Sequence, residues 1–227
     1  GQVDAAKKCY ENALAIKHAY PNVHNNLGNI FLELGQLESA AEHFEWAVAY
    51  NPEFDKAHNN LAVTLQGLGR LDAAVESYKK ALAVNPNYTE AHNNLGITFQ
   101  GLGQLDAAVE SYKKALAIKP DYANAHNNLG NASKQLGQLD AAVESYEKAL
   151  AIKPDYANAH NNLGIAFKQL GQLDAALKSY ENALAIKPDY AEAHNNLGNA
   201  LQALGKLEAA VESYEKALAI KPDYANA

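Results

Sequence analysis

The tetrapeptide His-Asn-Asn-Leu returns six times in this chain at a constant spacing of 34 residues. Its copies begin at His24, His58, His92, His126, His160 and His194. No residue is inserted or deleted between copies, so a single supersecondary unit recurs along the chain. A unit of this length cannot bury its apolar face alone, and it must stack on its neighbours to complete a core. The spacing therefore predicts a linear array of repeats.

The segment 89–122 shows what each unit contains. An apolar stripe at helical spacing predicts a first helix, and its members are Ala91, Leu95, Phe99 and Leu102. Gly103 suits the left-handed conformation that ends helices, and Asp106 complements the dipole at the start of a second helix. The buried face of the second helix consists of Leu105, Ala108, Val109, Tyr112, Ala115 and Leu116. Pro120 cannot continue a helix and closes the unit.

These residues resemble the signature of the tetratricopeptide repeat (TPR) family. The matching residues are Leu95, Gly96, Phe99, Gly103, Ala108, Tyr112, Ala115 and Pro120. The sequence departs from the family pattern at position 4 of the repeat, where His replaces Trp, and at position 17, where Leu replaces Tyr. The resemblance implies an all-α fold, an α-solenoid in which antiparallel helix pairs form a right-handed superhelix with the first helices on its concave wall.

Counted in the TPR register, residues 1–227 form a single array. Residues 1–20 correspond to a half repeat (a second helix with its turns), and residues 225–227 begin a truncated one. Between them lie six full repeats, 21–54, 55–88, 89–122, 123–156, 157–190 and 191–224. We number positions from 1 to 34 within each repeat. The chain reads as a fragment whose apolar ends have no capping helix, which predicts end-to-end contacts between molecules.

Charge and composition exclude several classes of partner. A formal net charge of −7 and a pI of about 5.6 leave no basic field for nucleic acid or anionic lipid. No apolar run approaches the length of a membrane span. The single cysteine, Cys9, cannot form an intrachain disulfide, so a reducing compartment is permitted and the cytoplasm is the expected location.

The repeats argue against catalysis, cofactors and metals. Equivalent helices in a stack lie ~8–10 Å apart, whereas zinc needs nitrogens ~2 Å away, so neighbouring position-4 histidines cannot share an ion. We expect each to be a packing residue with one ring nitrogen hydrogen-bonded. Repeats four and five differ at only five of 34 positions, which gives like groups in a row. Because an active site needs unlike groups that converge, we expect no enzyme.

A column of asparagines is the predicted ligand site. Family geometry places position 6 of the first helix in the concave groove, and this position is Asn26, Asn60, Asn94, Asn128, Asn162 and Asn196. Position 5, expected at the edge of the groove, is Asn25, Asn59, Asn93, Asn127, Asn161 and Asn195. Lys56 at position 2 and Asn131 at position 9 complete the set. Amides donate and accept hydrogen bonds as peptide units do, so the predicted ligand is an extended protein or peptide segment.

Alternatives stay open for this column and for the whole chain. Asn at position 6 is common in TPR motifs, where it can tie a helix to a turn. A TPR clamp on a C-terminal carboxylate would need a second basic pair, but residues 124 and 128 are both Asn. The run Ala-His-Asn-Asn-Leu-Gly resembles the TPR arms of protein O-linked N-acetylglucosamine transferases and bacterial relatives. The chain is therefore predicted to be an interaction scaffold, with the substrate-recruiting arm of a larger enzyme as the alternative.

The first repeat carries two departures from the others. Trp46 stands where later repeats have Lys or Asn, so we expect it to be partly exposed on the convex side. It either packs on the preceding turn or belongs to an aromatic patch for a partner. Pro21 is expected at the start of a helix, a position that proline tolerates.

Overall fold

The computed structural model describes residues 2–223, with side chains from residue 5 onward. Within this range the chain forms thirteen α-helices and no strand. They are α1 (Gln2–Ile16), α2 (Pro21–Glu33), α3 (Leu37–Tyr50), α4 (Asp55–Gly67), α5 (Leu71–Val84), α6 (Thr89–Gly101), α7 (Leu105–Ile118), α8 (Ala123–Gln135), α9 (Leu139–Ile152), α10 (Ala157–Gln169), α11 (Leu173–Ile186), α12 (Ala191–Ala203) and α13 (Leu207–Ile220). The predicted truncated repeat at 225–227 lies outside the described residues.

The helices fall into two compact units. The first unit ends at Ile118 and holds α1–α7, and the second begins at Lys119 and holds α8–α13. Within each unit the two helices of a repeat pack together, and the second helix of one repeat packs on the first helix of the next. The predicted all-α class, built from helix pairs, is confirmed.

The turn inside each repeat depends on one glycine. Gly103 has a φ of 73°, a conformation that costs a side-chain-bearing residue strain energy. Its amide donates to the Gln100 carbonyl at 3.1 Å, and the Gln104 amide donates to the Phe99 carbonyl at 2.9 Å. These bonds satisfy carbonyls that the end of a helix leaves without partners. The expected left-handed glycine is confirmed, and so is Pro21 as the first residue of α2.

A second glycine sets the distance between the paired helices. A Cβ added to Gly96 would lie 2.5 Å from Cε1 of Tyr112, and one added to Gly130 would lie 2.5 Å from Cε1 of Tyr146. The tyrosine ring therefore rests on the backbone of the first helix, as the small-residue pattern predicted. Repeat two carries Ala62 at this position and still buries its tyrosine completely, so the packing there accommodates one methyl group.

Candidate functional site

The position-6 asparagines lie half-buried on the first helices of both units. We call the surface that they form within each unit the asparagine face. In the first unit, Nδ2 of Asn60 donates to Oδ1 of Asn25 at 3.1 Å. In the second unit, Nδ2 of Asn162 donates to Oδ1 of Asn127 at 3.1 Å. Nδ2 of Asn196 repeats this bond to the position-5 asparagine before it at 3.0 Å. These hydrogen bonds join successive repeats. The amides therefore have a structural role, which the sequence had left open as the alternative to ligand binding.

The position-5 asparagines lie deeper than expected. The exposed fraction of these residues runs from 1% at Asn161 to 8% at Asn25. They are buried more deeply than an exposed edge of a groove would require, and their role in ligand binding stays a prediction. Helical residues advance by 100°, so position 5 turns toward the neighbouring repeat when position 6 faces solvent. The position-5 asparagines Asn59, Asn93 and Asn195 are buried as well.

Repeats one and three hold their position-6 amides differently. Nδ2 of Asn26 donates to the hydroxyl of Tyr10 at 3.3 Å. Asn94 hydrogen-bonds the hydroxyl of Tyr78, and this contact partly offsets the burial that raises the pKa of that tyrosine. Oδ1 of Asn59 is buried and has no partner among the described residues. The hydrogen-bond partners of the asparagines therefore differ from repeat to repeat, although the residue is the same in each.

The remaining predicted ligand residues differ in what they can offer. Lys56 is exposed in the first turn of α4. Asn131 is half-buried, and its Oδ1 accepts a hydrogen bond from the hydroxyl of Tyr146 at 2.8 Å. Because this acceptor is occupied, a ligand would meet mainly the NH₂ group of Asn131.

Position 24 is a tyrosine in repeats two to six, and its hydroxyl donates to a side chain of the first helix in repeats two, three, four and six. The hydroxyl of Tyr112 donates to Oε1 of Gln100 at 3.0 Å, and that of Tyr78 donates to Oε1 of Gln66 at 3.2 Å. The hydroxyl of Tyr180 is buried and has no partner among the described residues. We did not single out these hydroxyls from the sequence. The sequence signal that could have indicated them is the change among Gln, Asn, Lys and Ile at positions 9 and 12 of successive repeats.

The position-4 histidines are packing residues. Nε2 of each lies 2.9–3.0 Å from the backbone oxygen six residues earlier, that of Pro52, Pro86, Pro120, Pro154, Pro188 or, for His24, His18. The expected hydrogen bond from one ring nitrogen is confirmed. Among the described residues, no three His, Cys, Asp or Glu side chains are arranged to hold a metal ion.

An aromatic cluster distinguishes the first full repeat. Nδ1 of His24 and Nδ1 of His43 are 3.1 Å apart. Trp46 is 52% exposed, as expected, and it stacks on Tyr50 with the ring centroids 5.7 Å apart. Burial lowers the pKa of His24 and His43; the charge of His18 also lowers the pKa of His24, and the charge of His24 also lowers that of His43. The charges of Glu42 and Glu11 raise the pKa of His43, and the charge of Lys7 lowers it.

An apolar groove lies between the second helices α5 and α7. It encloses about 740 Å³ and is lined by residues that include Leu82, His92 and Phe99. A groove of about 400 Å³ at the equivalent positions lies between α11 and α13, where it is lined by residues that include Leu184 and His194. Because the same positions line both grooves, they follow from the repeat geometry. None of the predicted ligand residues lines either one.

No helix in the described range is long and apolar enough to cross a membrane.

Exposed apolar side chains are concentrated on α13, where Leu207 is 62% and Val211 is 54% exposed. The equivalent of Val211 in the preceding repeat, Leu177, is buried under α12.

Comparison with known proteins identifies the family of these repeats. A family profile described as a TPR repeat matches residues 1–35, 28–69, 67–103, 101–137, 130–171 and 166–205, and a tetratricopeptide repeat profile matches 191–224. No match was found among the curated proteins.

Several solved structures are similar to this one. MamA is 30% identical, with a TM-score of 0.67 over 74% of this chain and 98% of MamA. PilW, a type IV pilus biogenesis factor, is 26% identical, with a TM-score of 0.81 over 91% of this chain and 96% of PilW. YrrB, a TPR protein with an unusual peptide-binding site, is 25% identical, with a TM-score of 0.66 over 82% of this chain and 96% of YrrB. The resemblance to glycosyltransferase arms is not among these findings and stays a prediction.

Proposed function

This chain belongs to the tetratricopeptide repeat family, and from that membership we propose that its asparagine face binds an extended polypeptide. The protein is then an interaction scaffold that performs no chemistry of its own. The similar protein YrrB has a peptide-binding site, which supports a ligand of this class. The observation that carries the proposal is the half-buried amide that returns at position 6 in every repeat.

Asn162 and Asn196 keep hydrogen-bonding capacity after each has joined two repeats. A side-chain amide has two N–H donors and an oxygen with two lone pairs. The bond from Asn162 to Asn127 uses one donor of Asn162, and the bond from Asn196 to Asn161 uses one donor of Asn196. The neighbouring repeat also fixes the orientation of these side chains, so less conformational entropy is lost when a ligand binds.

The spacing of the amides suits a polypeptide backbone. Packed helices lie ~8–10 Å apart, and an extended chain advances ~3.3 Å per residue. One amide therefore meets about every third ligand residue. A net ~0.5–1.5 kcal/mol for each hydrogen bond, less the cost of ordering the ligand, corresponds to micromolar or weaker affinity.

Two variants in the second unit test the proposal. Asn162→Ala and Asn127→Ala break the same 3.1 Å hydrogen bond, but only the first removes an amide from the asparagine face. Both should lower the melting temperature, because the partner that remains is left unpaired. Binding of an extended peptide, measured by fluorescence anisotropy, should weaken only with Asn162→Ala. If the two variants lose affinity equally, the amides act only through the fold.

We retain recruitment of substrates to a larger enzyme as the alternative. It uses the same asparagine face, so the peptide-binding test does not separate the two functions. Turnover by the isolated 227-residue chain would contradict both. A transferase domain adjoining the repeats in the parent protein would favour the recruiting arm.

A further inference from the structure

The second helix of repeat one lacks an ion pair that the next three repeats have. Position 22 is glutamate in repeats one to four, and in repeats two to four it pairs with a lysine one turn further along the helix. The three pairs, at 2.7–3.5 Å, are Glu76–Lys79, Glu110–Lys113 and Glu144–Lys148. Repeat one has Glu45 and Trp46 at the corresponding positions 25 and 26. Glu42 is therefore an exposed carboxylate that forms no ion pair within the part of the chain that the structure describes.

Aromatic rings stand beside this carboxylate. Glu42, Trp46 and Tyr50 follow one another at intervals of four residues on α3, so they share one face of the helix. We call these three residues the α3 stripe. The ring centroids of Trp46 and Tyr50 are 5.7 Å apart with their planes inclined by 19°, and both side chains are exposed. Later repeats have Val or Ile in place of Tyr50, so the stripe is specific to repeat one.

The buried His24 holds the two rings in place. Its ring centroid lies 5.7 Å from that of Tyr50 and 6.3 Å from that of Trp46. Nε2 of His24 is 3.0 Å from the backbone oxygen of His18, and its Nδ1 is 3.1 Å from Nδ1 of His43. Because both ring nitrogens have a partner, the imidazole is held in one orientation. The exposed rings beside it are thus positioned before a ligand binds, which reduces the entropy that binding costs.

The rings of the α3 stripe have no cation from the chain itself. Other exposed rings of this region do: Nζ of Lys7 lies 4.6 Å from the ring centroid of Phe31, and Nζ of Lys17 lies 5.2 Å from that of Tyr20. Among the described residues, no lysine or arginine lies over either ring of the stripe. Tryptophan is the side chain whose ring attracts cations most strongly. The stripe therefore offers a cation both a ring face and a carboxylate.

We propose that the α3 stripe binds an arginine side chain of a protein partner. A guanidinium group is planar, so it stacks on an aromatic ring while its N–H groups donate to a carboxylate such as that of Glu42. An ammonium group is compact and more strongly hydrated, so lysine fits the same surface less well. The net charge of −7 attracts arginine and lysine alike, and a preference for arginine would have a local origin. The stripe lies on a second helix, whereas the asparagine face lies on first helices, so this inference does not depend on the proposed function.

The test uses the fluorescence of Trp46, which is the only tryptophan of the chain and lies in the proposed site. The intact chain is titrated with nine-residue peptides of Gly and Ser that carry three arginines, three lysines or three citrullines, all with acetylated and amidated ends. Citrulline has the shape of arginine without its charge. We expect the arginine peptide to bind roughly fivefold or more tightly than the citrulline peptide, since stacking and an exposed ion pair each contribute a factor of about two to five. It should bind about twofold or more tightly than the lysine peptide.

Substitutions then locate the effect, with labelled peptides and fluorescence anisotropy as the readout. Trp46→Leu keeps an apolar side chain and removes the ring, and Glu42→Gln removes the charge. Each should reduce the preference for arginine over citrulline at least about twofold. Glu144→Gln makes the same charge change at the same repeat position on α9 and should leave the preference intact. The preference is a ratio measured on one variant, so partial unfolding lowers both affinities and does not alter it.

Three results would overturn the arginine site. Equal affinity for the arginine and citrulline peptides, or no response of Trp46 to either at millimolar concentration, shows that the stripe binds no cation. Equal affinity for the arginine and lysine peptides shows general attraction to an acidic chain. An equal loss of preference in Glu144→Gln and Glu42→Gln shows the same. None of these results bears on the asparagine face, which is tested with its own variants.

Discussion

Two tyrosines in equivalent positions should respond in opposite ways when their hydroxyl is removed. Tyr112 and Tyr180 both occupy position 24, and both are fully buried. The hydroxyl of Tyr112 donates to Gln100 at 3.0 Å, while that of Tyr180 has no partner among the described residues. Replacement by phenylalanine keeps the ring on its glycine and removes only the oxygen. The pair therefore isolates the free energy of one buried hydroxyl.

The magnitudes follow from the hydrogen bonds. Tyr112→Phe loses a neutral hydrogen bond with a net value of about 1 kcal/mol and leaves Gln100 without that donor. Tyr180→Phe loses no bond and relieves the desolvation of an unpaired polar group, which costs about 1–3 kcal/mol. We expect Tyr112→Phe to lower the melting temperature by about 2–4 °C and Tyr180→Phe to raise it by a similar amount.

The assay needs local resolution, because repeat arrays unfold by neighbouring units and can depart from two-state behaviour. Amide hydrogen exchange should show lower protection in α6 and α7 for Tyr112→Phe and higher protection in α10 and α11 for Tyr180→Phe. Tyr146→Phe is the control and should behave like Tyr112→Phe, since its hydroxyl is bonded at 2.8 Å. If Tyr180→Phe destabilises as much as Tyr112→Phe, the Tyr180 hydroxyl has a partner such as a buried water and the reasoning is refuted.

Three further predictions concern other parts of the chain. Burial holds the pKa of His43 and of His24 below 6.5, so the unfolded chain gains protons first as the pH falls. Trp46 fluorescence should report a first repeat that is stable above pH ~6.5 and weakens below it, and His43→Gln should remove part of this dependence. Gly130→Ala should lower the free energy of unfolding, because its Cβ would lie 2.5 Å from the Tyr146 ring. The loss should be only about 1 kcal/mol, since repeat two accommodates the same methyl group. A higher free energy of unfolding in a denaturation experiment would contradict the packing argument. We expect the exposed apolar side chains of α13 to let two copies of this chain associate at high concentration and Val211→Lys to abolish this; light scattering that shows the parent chain to be a monomer there would count against it.

The sequence predicted most of the fold because the determinants of a repeat are local. Helical spacing of apolar residues, Gly103 in its turn and Pro21 at a helix start act within a few residues, and each is where the sequence placed it. The packing role of the position-4 histidine also followed from its single copy per repeat. The candidate site was harder, because positions 5 and 6 are both Asn in every repeat and the sequence cannot show which of two adjacent amides faces a neighbour.

The amino-acid sequence by itself determined the repeat, the helix pairs and the column of asparagines, since these depend on periodicity along one chain. Only the tertiary structure decided which amide is exposed, because that depends on the angle at which one repeat packs on the next. It turned Asn127 inward as the acceptor for Asn162 and left the Asn162 side chain half-exposed. It also left the Tyr180 hydroxyl buried without a hydrogen-bond partner among the described residues. Nearly identical repeats acquire different chemistry when a substitution on one element removes the partner of a group on another.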